Sequence, residues 1–392
     1  MLEYHFPPLS LLMSTEESSH YQSLDESKRI FDKVNNKFIA LGIPARVVDH
    51  KSNPFSTILQ VQMNGITVDA ISEYRKDLEY ATASMVEFQE KEDGFFIAVK
   101  RNNRPVVSLR EVMESTRYKS STSCLTIAAG IDLFGGGFII DLKKDTNLLV
   151  AGVTGAGKSV FLADIILSIL YKARPDEVRL FLIDPKGVDL TLFDGIPHMR
   201  DPVATDHKSA MNIFRWLKNE TVNRLSMLNR SGDNDIDRYN RRTEKKLQHI
   251  VLVVDEFSEL ILRQREIEKE MKKADPAGFR VTDTLEKMIG VIAFASERTG
   301  IHLIMATQRP SSAVITSDIK RTIETRTSFT VVDKKESRII IRMTGAERLL
   351  GAGDMIYISP EKPDGIHGRS AFVSDEEIDR VVRFMRNERG IG

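Results

Sequence analysis

The 392-residue chain has one cysteine, one tryptophan, no excess of either charge and no long apolar run. Each shortage excludes something. With Cys124 alone there is no internal disulfide and no cysteine-based zinc site, and a single small hydrophobe of this kind fits a reducing compartment. Lys plus Arg and Asp plus Glu both number 56, so the chain as a whole exerts no long-range pull on nucleic acid or an anionic membrane. Any such contact must come from local basic loops. The most apolar helical stretch, Val160 to Leu170, is about half of what spans a bilayer and carries Asp164. The first residues lack the basic, apolar and small-residue order of a secretory signal, so the cytoplasm is the expected location, with no direct membrane insertion.

What is present is enough hydrophobic sequence, 41%, for one large core and a smaller one. Residues 1–22, rich in Ser, Glu and Pro, read as a flexible lead-in. Residues 23–118 read as a small α+β domain. Leu24, Ile30, Phe31, Val34, Phe38 and Leu41 recur at helical steps up to Gly42, and short strands follow at Ala45 to Val48, Thr57 to Met63 and Phe95 to Lys100, with a helix over Asp69 to Tyr80. After a Ser/Thr-rich linker at Ser120 to Ser123, residues 119–392 alternate strand and helix. Asn147 to Ala151, Val178 to Ile183, His249 to Val254 and Ile301 to Ala306 are continuous apolar runs, with a weaker fifth at Ser328 to Val332. Such runs fit strands buried on both faces of a mainly parallel sheet, hence a three-layer α/β fold. The charged stretch Arg263 to Lys273 carries both signs and reads as a solvated helix face.

Three strings carry chemistry. Gly152-Val153-Thr154-Gly155-Ala156-Gly157-Lys158-Ser159 is a full P-loop pattern, placed after an apolar strand and before a helix starting at Val160. Its glycines let backbone N–H groups face phosphates, the helix N-terminus adds a positive dipole, Lys158 adds a point charge and Ser159 offers a hydroxyl to Mg²⁺. ATP and Mg²⁺ are the expected ligands. The second string is the apolar strand His249 to Val254 ending in Asp255 and Glu256. Such a pair can cap a helix, but beside a P-loop Asp255 supports the metal and Glu256 polarises water, which points to hydrolysis. The third ends a strand with Thr307, Gln308, Arg309 and Pro310, where Gln308 can report on the γ-phosphate.

Taken in order, Leu148 to Ser159, Leu182 to Lys186, Asp194 to His198, Val253 to Phe257, Gly300 to Pro310 and Leu349 to Met355 resemble the FtsK/SpoIIIE family. Ser108 to Val112 resembles the small domain that precedes the motor there. The resemblance implies a RecA-like P-loop motor on a smaller α+β domain, assembled as a hexameric ring that moves double-stranded DNA by ATP hydrolysis, in chromosome segregation or DNA transfer. It also implies an arginine acting on the neighbouring subunit's site. Arg298 is the candidate, offset by one, with Glu297 in the usual place. Pore loops after the Thr-Gln-Arg-Pro string imply DNA contacts at Arg309, Lys320, Lys334 and Arg338. Between Arg309 and Arg348 there are nine basic and five acidic residues. The family's membrane anchor and winged-helix domain are expected to be absent, and Arg263 to Arg280 reads as an insertion. A protein-secretion ATPase and an ATP-gated assembly module on DNA stay open. Stimulation by a secreted partner would mark the first, and slow hydrolysis without movement the second.

Overall fold

A computed structural model describes residues 4–14, 24–53, 55–101, 106–274 and 284–387. Among these, thirteen strands form two sheets. The smaller contains β1 (Ala45–Ser52), β2 (Ser56–Met63), β3 (Val86–Lys91) and β4 (Gly94–Lys100), in the order β1-β2-β4-β3 and antiparallel throughout. Helix Leu24–Ala40 covers it because Ile30, Val34 and Phe38 form one apolar stripe, which meets Leu59, Val61, Phe95 and Ile97. The helix expected over Asp69 to Tyr80 is two short ones, Val68–Ser72 and Arg75–Thr82. Strand β3 escapes the sequence reading because its pattern, Val86 to Lys91, has few apolar residues.

The larger sheet runs β6-β5-β13-β12-β11-β7-β10-β9-β8, from β5 (Thr126–Asp132), β6 (Gly137–Asp141), β7 (Leu148–Ala151), β8 (Val178–Ile183), β9 (His249–Val254), β10 (Ile301–Thr307), β11 (Thr325–Ser328), β12 (Asp354–Ser359) and β13 (Lys362–Ser370). The block β11-β7-β10-β9-β8 is parallel and the rest antiparallel, so the sheet is mixed rather than mainly parallel. Alternate residues serve two cores. Leu148 and Val150 pack with Phe161, Leu162 and Ile165 of helix Lys158–Leu170, while Leu149 and Ala151 face the core shared with Phe214, Leu217 and Ile289. Burial on both faces is why these strands read as unbroken apolar runs.

Two expectations change. Residues 4–14 are packed rather than loose: Leu12 is buried, Met13 N–H donates to Glu377 Oε1 at 2.7 Å, and Tyr171 Oη donates to Pro8 O at 3.3 Å. The rest of the expected lead-in lies outside the described residues. We also propose a domain boundary nearer Arg101 than residue 118, because Val107, Leu109, Val112, Met113 and Tyr118 are buried in a core of the larger sheet. The charged stretch forms the exposed end of helix Phe257–Ala274; the remainder of the proposed insertion, to Arg280, lies outside the described residues.

Asp164 carries a prediction. It sits in helix Lys158–Leu170 with no solvent exposure and no hydrogen-bond partner on either carboxylate oxygen, and burial, helped by Glu377, pushes its carboxyl well above the usual range. The native chain therefore keeps a proton that the unfolded chain releases above about pH 4. The stability linked to that proton is fully present below pH 4 and declines by about 1.4 kcal/mol per pH unit as pH rises towards the native value. Asp164→Asn cannot titrate. Urea unfolding at pH 5 and pH 8 is expected to show the variant gaining on the parent at the higher pH; parallel profiles would exclude a protonated Asp164.

Candidate nucleotide site

Three parallel strands deliver the site at their carboxyl ends. β7 leads into the P-loop, β10 lies directly beside it, and β9 is next in order. Gly152 N–H donates to Thr307 O at 3.3 Å and Val153 N–H to Thr330 O at 2.9 Å, so both neighbours of β7 fix the loop's first residues. Gly155 and Gly157 have φ of 76° and 111°, a region that glycine enters without strain. Helix Lys158–Leu170 starts at once, and its first N–H groups have no carbonyl within the helix to bind. Thr154 and Gly155 form the exposed tip, and Ala156 is buried.

Lys158 Nζ is buried against Asp255 Oδ1. Burial pushes the Asp255 carboxyl up, and Lys158 opposes that shift. Asp255 Oδ2 is buried without a hydrogen-bond partner. Glu256 has φ 59° and is held on both oxygens: Oε1 accepts from Thr307 Oγ1 at 2.7 Å and from Ser258 Oγ, and Oε2 accepts from Gln308 N–H at 2.9 Å. Gln308 Oε1 accepts in turn from Thr154 Oγ1 at 2.7 Å. The tip of β10 thus touches both the P-loop and the carboxylate after β9.

Sequence reasoning assigned no role to three further residues. Asp184, after β8, accepts five backbone N–H groups, from Lys186 to Leu190, at 2.9 to 3.1 Å, and curls that loop into the site. Asp189 Oδ2 then accepts from Ser159 Oγ at 2.6 Å, and Lys186 Nζ lies 3.9 Å from Glu256 Oε2. The string Leu182 to Lys186 was visible, but not which groups its loop would face.

Other expected residues lie elsewhere. Arg298 ends helix Leu285–Thr299, before β10, at the edge of the sheet opposite the P-loop; β10 alone separates the two edges by about 20 Å. Its side chain donates to Asn234 O at 2.9 Å and Asn229 Oδ1 at 3.1 Å. Arg309 is exposed beyond β10, Lys320 is half-buried on helix Ser317–Thr322, and Lys334 and Arg338 are exposed, four apart, on helix Lys334–Ile341. Arg326, one of the nine basic residues counted there, is not surface charge. It is fully buried and donates to Ile323 O and Ile340 O, both at 3.0 Å, and to Lys320 O, tying those two helices to β11.

The FtsK/SpoIIIE family model matches residues 108–312, more than half of the chain. The chain belongs to the FtsK/SpoIIIE family. It is 38% identical over 98% of its length to the DNA translocase FtsK of Caldanaerobacter subterraneus, and 35% identical over 98% to the DNA translocase SftA of Bacillus subtilis. The matches cover 52% and 40% of those proteins, so this FtsK/SpoIIIE chain spans about half the length of the curated relatives it matches. In fold it is similar to the pCW3 conjugation coupling protein TcpA, with TM-score 0.60 and 21% identity over 91% of this chain and 99% of that one. It is also similar to the cytoplasmic domain of the Thermomonospora curvata Type VII secretion ATPase EccC, with TM-score 0.58 and 19% identity over 72% and 34%. A P-loop motor fold is common to all of them. Among the described residues, no helix is long and apolar enough to cross a membrane.

Proposed function

We propose that this chain is the motor portion of an ATP-dependent double-stranded DNA translocase. The observation that carries the reading is the convergence of Lys158, Asp255, Glu256 and Gln308 on one P-loop, with Gln308 bonded to Thr154 and its N–H to Glu256. The residues fit ATP and a divalent cation. The P-loop offers the helix N-terminus and an ammonium, and Asp255 Oδ2 is a buried oxygen with no partner. Ser159 and Asp255 would hold the cation, with Asp189 behind Ser159. The cation supplies neutralisation of charge on the phosphate oxygens.

Within that site Lys158 binds phosphate oxygens, and Gly152 to Val160 wrap them. Glu256 orients the attacking water and takes its proton, and Gln308 senses whether the γ-phosphate is intact. Arg298 lies too far from its own P-loop and acts on the neighbour's site in a homo-hexameric ring. Arg309, Lys320, Lys334 and Arg338 contact duplex phosphates, which position DNA without reading its sequence.

ATP hydrolysis by the purified chain, with and without linear duplex DNA at two salt concentrations, tests the reading. Strong stimulation that falls as salt rises is expected, because phosphate contacts release counterions. No response to duplex would sink the DNA motor and favour a polypeptide substrate.

A further inference from the structure

The small domain reaches the nucleotide site through one loop. Gly351, Ala352 and Gly353, just before β12, all have positive φ, at 76°, 48° and 93°. The curl brings Gly353 N–H to Ala156 O of the P-loop at 2.9 Å, and Gly353 O accepts from Ser370 N–H at 2.7 Å. Backbone lies directly on backbone. A Cβ added at Gly157 would sit 2.7 Å from Gly353 N and 2.9 Å from its Cα, and one at Gly353 would sit 2.7 Å from Ser370 Oγ. At this packing a shift of either loop displaces the other.

Asp354 fixes the curl. Its Oδ2 accepts from Leu350 N–H at 2.7 Å, across the loop, and pairs with Lys100 Nζ. Lys100 is the last residue of β4, an interior strand of the small sheet. Its N–H donates to Met85 O at 3.0 Å and its carbonyl accepts from Ser84 Oγ. Lys100 and Asp354 are 8% and 2% exposed. Among the described residues, Arg348 also pairs across the domains with Glu79 at 2.8 Å, its arginine open to solvent, and His367 of β13 lies 3.1 Å from Glu87, away from this loop. A buried ion pair is weak as a source of stability, since desolvation offsets attraction, so what it holds in place is the better guide to its role.

We propose that Lys100 and Asp354 are positioning residues for the nucleotide site. The small domain, through this pair, holds the Gly351 to Asp354 loop against Ala156 and Gly157 and so sets the phosphate-binding conformation of the P-loop. The coupling runs both ways: a P-loop that responds to nucleotide shifts Asp354, and with it the small domain, by the same free energy. The inference rests on the P-loop being an ATP site, and it needs no DNA.

The test uses the full chain and a fluorescent ATP analogue without DNA. Lys100→Met and Asp354→Asn are expected to raise Kd and KM about tenfold, within the usual span of coupling between sites, with kcat changed less than about twofold. Glu79→Gln, at the exposed pair, is expected to stay within about twofold on all three. Hydrogen exchange supplies a readout that a merely structural role would not move. The analogue should protect β4 amides in the parent and fail to do so in Lys100→Met. Parent-like affinity together with parent-like protection would overturn the proposal. If Lys100→Met does not fold, the double variant Lys100→Met, Asp354→Leu leaves no unpaired buried ion and should show the same loss. Parent-like affinity in the folded double variant would also overturn it. A parent that binds no analogue would remove the premise itself, a result distinct from either.

Discussion

Glu256→Gln is expected to lower ATP turnover by about a thousandfold while analogue affinity stays within about threefold, because a positioned general base contributes on the order of 10²–10⁴. The motive is geometric. Glu256 stands directly after Asp255 at the carboxyl edge of β9, and Thr307 Oγ1, Ser258 Oγ and Gln308 N–H all bond its carboxylate. That many donors on a side chain with backbone φ 59° fix its direction instead of leaving it to sample solvent. Glutamine keeps the length and the acceptor oxygen for Thr307 but cannot accept a proton, so chemistry is lost and the pocket's shape is kept. Steady-state phosphate release and analogue titration separate the two. Loss of both would make Glu256 a structural residue, and unchanged turnover would mean that another group activates water.

How much of this was legible depends on whether a function is written in adjacent residues. The P-loop, Asp255 with Glu256, and Gln308 each follow an apolar strand, so pattern and position announce them together. β11 shows the opposite case. The sequence reading placed a strand at Ser328 to Val332, where Phe329 and Val331 are apolar, yet the strand is Thr325–Ser328. Its four residues are buried although polar, since Arg326 finds carbonyl partners inside the protein, and hydropathy cannot register such burial. Phe329 follows the strand and packs where a side chain on Gly152 would stand: a Cβ there would lie 2.6 Å from its own Cβ. Strands β5 and β6 pair antiparallel across a turn that holds Gly135 and Gly136, and β12 and β13 pair antiparallel across Pro360 and Glu361, so all four escaped the βα alternation that revealed the others. Lys186 and Asp189 were unreadable for another reason: the five amides gathered by Asp184 set their directions, and nothing in the string Asp-Pro-Lys states which side chain that turn will face.

Lys158→Ala is expected to weaken ATP-analogue binding by about a hundredfold, equivalent to about 2.7 kcal/mol, the upper part of what a hydrogen bond to a charged group contributes. It should also destabilise the apo protein. Lys158 Nζ is the cation against Asp255 Oδ1, and Asp255 is 1% exposed. Burial already pushes that carboxyl up with Lys158 opposing, so removal of the ammonium leaves a buried carboxylate that must protonate or stay unpaired. Breaking such a pair costs about 3–5 kcal/mol. The penalty has a sign in pH. A carboxyl whose native pKa is raised keeps its contribution below its unfolded value, about 4, and loses it as pH rises, so the variant's deficit should be smaller at pH 5 than at pH 8. Lys158→Ala with Asp255→Asn should recover most of the thermal stability at pH 8, since the charge is gone. A single variant that binds the analogue as the parent does would show that Lys158 serves Asp255 and not phosphate, whereas lost affinity with the stability restored in the double variant would separate the two roles of one ammonium.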